Sequence, residues 1–162
     1  MPCYIIDAIQ TLRNAITANT FLASTVLSLF TLTAGYLRAN LNAFDLITLV
    51  SFSPLLGLLM CSAYSFSQSA RLMTHVGFMF PVAKETSTVL TYASVERLML
   101  RSEHCQWWGL RYLYLSMCPV AWIFGGEFAF LVVSVALLRF LQQIDRPPPL
   151  EHVDSMDNSN TG

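Results

Sequence analysis

Three long stretches of this chain are almost free of charged residues, and they limit the possible folds more than any other feature. Residues 14–37 and 46–70 contain no Asp, Glu, Lys or Arg, and residues 112–138 contain only Glu127. Each stretch exceeds the ~20 residues that an α-helix needs to cross a hydrocarbon core about 30 Å thick. Barrel strands fit poorly, because they alternate in polarity and run only about ten residues. The sequence therefore predicts an all-α fold, a multi-pass transmembrane helical bundle.

We predict three spans, near Ile16–Leu37, Leu46–Phe66 and Leu113–Leu138, within one membrane-embedded domain over residues 1–145. Only 12% of the 162 residues are charged and 54% are apolar, whereas about a quarter of a soluble protein is charged. A soluble domain of this size cannot bury so much apolar surface. The net charge of −1 supplies no basic field for nucleic acid. The expected location is therefore a membrane, and the expected partner is the lipid bilayer rather than nucleic acid.

The segments around the three spans are more polar. Apolar residues between Ile5 and Ile16 share one helical face, which predicts an amphipathic helix that either continues into the first span or lies at the membrane surface. Residues 67–111 are predicted to be an amphipathic loop, in which the apolar piece 76–80 is too short to cross and Lys84–Glu103 forms a helix. Residues 146–162 have the composition of a disordered polar tail.

Aromatic and basic residues indicate how the spans are oriented. Trp and Tyr side chains cluster between residues 107 and 114, where the aromatic belt of a membrane boundary is expected. With three spans, six of the nine Lys and Arg residues lie on the side of the N-terminus and the 67–111 loop. Because basic residues favour the cytosolic side, both segments are predicted to face the cytosol.

Two rows of small residues at four-residue spacing predict contacts between membrane helices. The rows are Thr20, Ser24 and Ser28 in the first span and Ser53, Gly57, Cys61, Ser65 and Ser69 in the second. The alternative is a chance pattern in a Ser-rich sequence. The contacts would join spans within the chain, a second copy in a homo-oligomer, or partner membrane helices.

Glu127 is the most unusual polar residue, because it follows Gly125 and Gly126 in the middle of the third predicted span. A charged acid at the bilayer centre costs roughly 2.5–3.5 kcal/mol on insertion scales, so it normally faces a partner or water. Glu127 is therefore a candidate carboxylate for handling protons or cations. Three alternatives remain: a protonated side chain bonded to a neighbour, a helix break at the glycines that places Glu127 at an interface, or a feature without function.

Four further residues are candidates for ligand binding. Arg71 and His75 are four residues apart and share a helical face beyond the second span, which suits a lipid headgroup or small anion, or an ordinary basic anchor. Arg13 and Asn14 precede the first span. The Cys and His residues lack the spacing of metal ligands, and no phosphate-binding loop, HExxH or Gly-x-Ser-x-Gly motif occurs. No metal, cofactor or catalytic residue is therefore predicted, and an enzyme is not the expectation.

Five short segments resemble the membrane-protein family catalogued as domain of unknown function 599, which occurs in plants and bacteria. They are QTLRNAI at 10–16, TFLAS at 20–24, SARLMTHVGF at 69–78, GLRYLYL at 109–115 and AWIFG at 121–125. The resemblance covers Ile9–Asp145 and implies a four-span protein without an established activity. It also implies that this chain lacks the first of the four spans, and that Glu127 departs from the family pattern. The matching positions are Gln10, Arg13, Asn14, Arg71, His75, Gly109, Arg111 and Trp122.

Three functions are compatible with these observations. The leading hypothesis is a non-enzymatic membrane protein that packs with itself or with partner helices. The alternative is a small transporter or channel subunit that uses Asn14, Arg71, His75 and Glu127 inside the bundle. A third is a lipid-acting membrane enzyme, which depends only on Arg71 and His75 near the headgroups.

Overall fold

The computed structural model describes residues 2–40, 46–86 and 89–144. All regular structure in these residues is α-helical, and the four helices are α1 (Pro2–Ala39), α2 (Leu46–Thr86), α3 (Val89–Leu115) and α4 (Met117–Ile144). The all-α prediction is confirmed. Three helical segments are long and apolar enough to cross a membrane, which favours a membrane location.

Helix α2 lies at the centre and packs antiparallel to both α1 and α3. On the α1 side, Tyr36 lies beside Phe52 with a ring-centroid distance of 6.5 Å, and Leu12 lies against Gly77 at the other end. Since a residue late in α1 meets one early in α2 and the reverse, the two helices form an antiparallel pair. The amphipathic lead-in is part of α1, continuous with the first predicted span.

Two apolar clusters hold the three long helices together. The larger cluster contains Val26, Phe52, Leu55, Leu59, Ala63 and Phe66. The smaller one, nearer the N-terminus of α1, contains Leu12, Met73, Val76 and Val95. The core therefore continues from the strongly apolar segments into the more polar halves of α1, α2 and α3.

Small polar residues form the contact between α2 and α3, which we call the serine seam (Ser62, Ser69, Ser102 and Gly109). Ser62 Oγ donates a 2.8 Å hydrogen bond to the Gly109 carbonyl. Ser69 Oγ donates to the Ser102 carbonyl at 2.9 Å, and Ser102 Oγ donates to the Ser69 carbonyl at 3.0 Å. The three serines are buried, so their hydroxyl groups are satisfied by the facing backbone and the helices approach closely.

Helix α4 folds back on itself at Gly126. This residue has φ 69° and ψ −164°, inside a helix that is otherwise regular, and a positive φ of this kind is accessible mainly to glycine. A side chain on Gly125 would collide with Ala129, so the tight turn requires both glycines. The turn divides α4 into a first arm (residues 117–125) and a second arm (residues 127–144).

Contacts across this turn show that the second arm runs antiparallel to the first arm and to the end of α3. Three pairs of side chains meet: Trp122 and Phe130 with ring centroids 5.3 Å apart, Cys118 and Ser134 at 3.6 Å, and Tyr114 and Phe140 with centroids 5.6 Å apart. In a straight helix, residues as far apart as 114 and 140 would be separated by about 39 Å. The second arm is therefore a separate helical rod.

The structure differs from the predicted elements in two places. The span predicted over Leu113–Leu138 is interrupted at Ser116 and again at Gly126. Pro119 accounts for the first interruption, because it lacks an N–H and its ring disfavours a helix that continues through the preceding turn. Residues 67–86 and 89–111, predicted as a loop, extend α2 and α3, so Lys84–Glu103 is not one helix. The predicted tail lies outside the described residues.

Candidate functional site

The predicted ligand-binding residues lie at two opposite ends of the bundle. Ala39, Leu46 and Gly126 mark one end, which we call the turn end. The opposite end, called the basic end, contains Arg13, Asn14, Arg71 and His75, whereas Glu127 lies at the turn end. At 1.5 Å per residue, the path along α2 from Leu46 to Arg71 is about 37 Å. The candidates therefore do not form one site.

A surface cleft of about 380 Å³ lies along the junction of α2 and α3 at the basic end. Its lining residues are Tyr64, Ser65, Gln68, Arg71, Leu72 and His75 from α2 and Arg101 and Cys105 from α3. The structure thus brings the predicted pair Arg71 and His75 together with a second arginine, Arg101. No carboxylate occurs among the described residues that line the cleft.

The serine seam positions the two arginines of this cleft. The Ser69 and Ser102 hydroxyl oxygens are 3.0 Å apart, Arg71 follows Ser69 by two residues, and Arg101 directly precedes Ser102. Both guanidinium groups therefore lie at the same level of the bundle, and both side chains are exposed. Neither forms a salt bridge with another residue in the described part of the chain. Among the described residues, the lining of the cleft therefore has positive charge and no carboxylate to balance it.

Arg13 and Asn14 lie in a different groove, of about 670 Å³, on the surface of α1. Ile9, Gln10 and Thr17 are the other described residues that line it. Thr17 Oγ1 donates to the Arg13 carbonyl at 2.9 Å, a bond within the helix. None of these five residues lines the cleft between α2 and α3, so the two features are separate.

Glu127 is the first residue after the turn in α4, and its side chain is exposed. The helix that would have placed Glu127 in the middle of a span is broken at Gly126, and a role for Glu127 in handling protons or cations stays a prediction. The structure matches the alternative in which the helix breaks at the two glycines. This position has no neighbouring candidate, since Asn14, Arg71 and His75 are all at the basic end.

Aromatic residues on α3 form a cluster one turn beyond the cleft. Trp108 Nε1 donates a 3.1 Å hydrogen bond to His104 Nε2, and the rings of Trp107 and Trp108 meet edge to face with centroids 5.1 Å apart. The Arg111 guanidinium carbon lies 3.4 Å from the centre of the Trp107 ring. An exposed cluster of indole rings and a stacked guanidinium is typical of a membrane boundary.

The predicted packing rows lie mostly on the outside of the chain. Exposed members are Thr20, Ser24, Ser28, Ser53, Gly57 and Cys61, whereas Ser65 is half-buried and Ser69 is buried in the serine seam. The hydroxyls of Thr20, Ser24, Ser28 and Ser65 donate to carbonyls of their own helix at 2.8–2.9 Å. Apart from Ser69, the rows do not join helices within the chain, and contact with another chain stays a prediction.

Ser69 of the serine seam was part of a predicted row, but Ser62 and Ser102 were missed for a physical reason. Ser62 and Ser69 are seven residues apart, as are Ser102 and Gly109, which is the spacing of two turns on one helix face. Contacts were instead predicted from rows at four-residue spacing, which lie mostly on neighbouring faces. Asn19 was also missed: its side chain is fully buried, and its Nδ2 lies 3.4 Å from Gln106 Oε1. Its Oδ1 has no partner in the described part of the structure.

Long apolar helices and a large exposed apolar surface are the properties of an α-helical protein with a membrane location. The chain belongs to the family described as "Protein of unknown function, DUF599", whose family model matches residues 5–148. The predicted resemblance is thereby confirmed. No curated protein and no solved structure matches the chain significantly.

Proposed function

We propose that this chain is an integral membrane protein that crosses the bilayer four times and acts as a non-enzymatic assembly component. The four crossings are α1, α2, α3 with the first arm of α4, and the second arm. The fold-back at Gly126 supports the fourth crossing. It also provides the four rods that the family resemblance implies.

The position of the aromatic cluster supports this membrane placement. Along α3 and the first arm, Trp107 lies about 28 Å from Gly126, and the hydrocarbon core is about 30 Å thick. The glycine turn and the tryptophans therefore fit the two boundaries of one bilayer. The second arm is about 27 Å long, and the long side chain of Arg139 can extend from it toward the boundary while its methylene groups remain in an apolar environment.

The fold-back at Gly126 also strengthens the predicted orientation, because it moves one arginine to the side of the N-terminus. With three crossings, Arg139 counts toward the side opposite the N-terminus, whereas with four crossings it belongs to the basic end. Arg38 is then the one basic residue, among those described, that lies near the turn end. Since basic residues favour the cytosolic side, we propose that the basic end faces the cytosol.

The assembly role depends on one observation: apart from Ser69, the predicted small-residue rows lie outside the serine seam and are largely exposed. Thr20, Ser24 and Ser28 present an exposed surface whose hydroxyls already bond within α1. Such a surface permits close approach of another helix without leaving a polar group unsatisfied. In addition, no residue of α4 is buried. We propose that the α1 row contacts a second copy of the chain or a partner helix.

Cysteine crosslinking in native membranes tests the assembly role. In a chain whose native cysteines are replaced by serine, Ser24→Cys should form a disulfide-linked product on oxidation. Leu29→Cys is the matched control, because Leu29 is also exposed on α1 but points about 140° away around the helix. Equal crosslinking at both positions, or a monomer in both cases, would count against the α1 row.

Labelling with a membrane-impermeant maleimide tests the four crossings. In sealed vesicles, Glu127→Cys and Glu103→Cys should react from opposite sides. Gln143→Cys, at an exposed position near the end of the second arm, should react from the same side as Glu103→Cys. Reaction of Gln143→Cys from the side of Glu127→Cys would contradict the proposed fold-back in the membrane.

The transporter and enzyme hypotheses receive no comparable support. A transport pathway within one chain needs polar groups that converge, but Glu127 is at the turn end, while Asn14 and the pair Arg71 and His75 line separate features at the basic end. The cleft has groups that can recognise an anion, but binding alone does not provide a transport pathway.

A further inference from the structure

We propose that the cleft between α2 and α3 binds the phosphate group of an anionic phospholipid. This inference rests on the membrane placement described above, because that placement determines which part of the bilayer the cleft meets. The ligand chemistry follows from the cleft itself, which combines two exposed guanidinium groups, an imidazole and an amide with no carboxylate among its described lining residues.

The depth of the cleft matches the headgroup layer. Arg71 is about 37 Å from Leu46 along α2, and Arg101 is about 37 Å from Gly126 along α3 and the first arm. A bilayer has a hydrocarbon core of about 30 Å and a total thickness of about 40–45 Å with its polar layers. If the turn end lies at one boundary of the core, both arginines reach the outer edge of the opposite headgroup layer, about 9 Å beyond the level of Trp107.

The N–H donors of the two arginines are arranged in a way that suits a phosphate group. Guanidinium groups present paired N–H donors that match phosphate oxygens. Arg71 and Arg101 approach from two helices whose relative position is fixed by the reciprocal Ser69 and Ser102 hydrogen bonds. His75, one turn from Arg71, and Gln68 add polar groups on the same lining.

The positive charge of the cleft favours an anionic lipid over a zwitterionic one. Neither arginine forms a salt bridge with another described residue, so a bound phosphate would supply a counter-charge to both. A choline or ethanolamine group would bring a positive charge to the same cleft. A headgroup with a net negative charge, such as phosphatidylglycerol, avoids that repulsion. Leu72 and the ring of Tyr64 provide apolar surface for the glycerol and the upper part of the acyl chains.

Native mass spectrometry of the detergent-solubilised full chain tests this proposal. The protein is mixed with equal amounts of phosphatidylglycerol and phosphatidylcholine, and the ratio of the two bound lipids is measured. The test variant is Arg71→Gln/Arg101→Gln. The matched control is Arg38→Gln/Arg97→Gln, which removes the same charge from two exposed arginines outside the cleft.

The parent and the control should prefer phosphatidylglycerol. The test variant should lose about 25-fold of that preference, from roughly a fivefold effect per arginine near a membrane surface. An equal preference in all three proteins would overturn the proposal. Adding an excess of inorganic phosphate distinguishes a site for a lipid phosphate from a site for a soluble phosphate ion. Retention of the lipid supports a headgroup site, whereas displacement supports a phosphate site that a soluble anion occupies.

The maleimide assay, repeated with the arginine substitutions present, distinguishes a failure of the proposed lipid site from a failure of the proposed membrane topology. If labelling follows the four-crossing pattern but no variant changes lipid preference, the proposed lipid site is wrong and the proposed topology is right. If labelling contradicts the pattern while the arginine pair still determines lipid preference in detergent, the anion site stands and the proposed crossings fail.

Discussion

Replacing Gly109 tests whether the serine seam determines how closely α2 and α3 pack. A methyl group at this position would lie 3.0–3.2 Å from three ring carbons of Phe66, a side chain that is fully buried. Inserting a methyl group into such a closely packed contact costs about 1–3 kcal/mol. The displaced helix would also stretch the bond from Ser62 Oγ to the Gly109 carbonyl.

Gly57→Ala is the matched control for Gly109→Ala. Both glycines lie within helices, so both substitutions gain the same helix propensity, about 1 kcal/mol. A methyl group on Gly57 meets no atom within 4 Å. The difference between the two variants therefore isolates the packing cost, which we expect to be about 1–3 kcal/mol.

Thermal unfolding in detergent, followed by size-exclusion chromatography of the heated samples, provides the measurement. A difference of 1 kcal/mol corresponds to about 2–4 °C in Tm for a chain of this size. Gly109→Ala should therefore have a Tm lower than that of Gly57→Ala by at least about 2 °C. Equal midpoints would refute the view that α2 and α3 are in close contact at Gly109.

Three further predictions concern single polar residues. Ser69→Ala should lower the free energy of unfolding by about 1 kcal/mol through loss of an interhelical hydrogen bond, whereas Ser65→Ala, whose hydroxyl bonds within α2, should leave it unchanged in the same thermal assay. Asn19→Leu should preserve or raise the Tm, because it removes a buried Oδ1 without a partner among the described residues; a large loss of stability would reveal a partner for that atom. Glu127→Gln should leave expression in the membrane fraction and Tm unchanged, since the side chain is exposed at the turn; a marked change in either would restore a buried role for the carboxylate.

The helical fold of the chain could be predicted from the sequence, because it depends on local composition. Residues 14–37 and 46–70 lack charges, and each corresponds to part of one long helix. The polar halves of the helices were predicted as a loop, since their stability comes from mutual packing. Leu12, Val76 and Val95 lie on three different helices, and no single segment indicates that they meet.

The fold-back at Gly126 was only partly predictable. The Gly-Gly pair indicates a break, and that alternative was open for Glu127. A break does not determine the direction of the following rod, however, because the direction depends on pairs such as Cys118 and Ser134. Arg101 was not associated with Arg71 for a similar reason: the two residues are thirty positions apart, and only the antiparallel register of α2 and α3 places them at one level.

An intramolecular disulfide between residues 118 and 134 tests the fold-back most directly. In a chain in which Cys118 is the one native cysteine that is kept, Ser134→Cys places two thiols where Cys118 Sγ and Ser134 Oγ are now 3.6 Å apart. A straight helix would separate these residues by about 24 Å. Val132→Cys is the control, because Val132 is exposed on the same arm.

On oxidation in membranes, the Ser134→Cys chain should remain monomeric on a gel. The peptide spanning residues 112–139 should lose two hydrogens and resist alkylation until it is reduced. The Val132→Cys chain should show neither change. Free thiols in the Ser134→Cys chain, or a disulfide only between chains, would contradict the antiparallel fold of α4 and with it the fourth crossing.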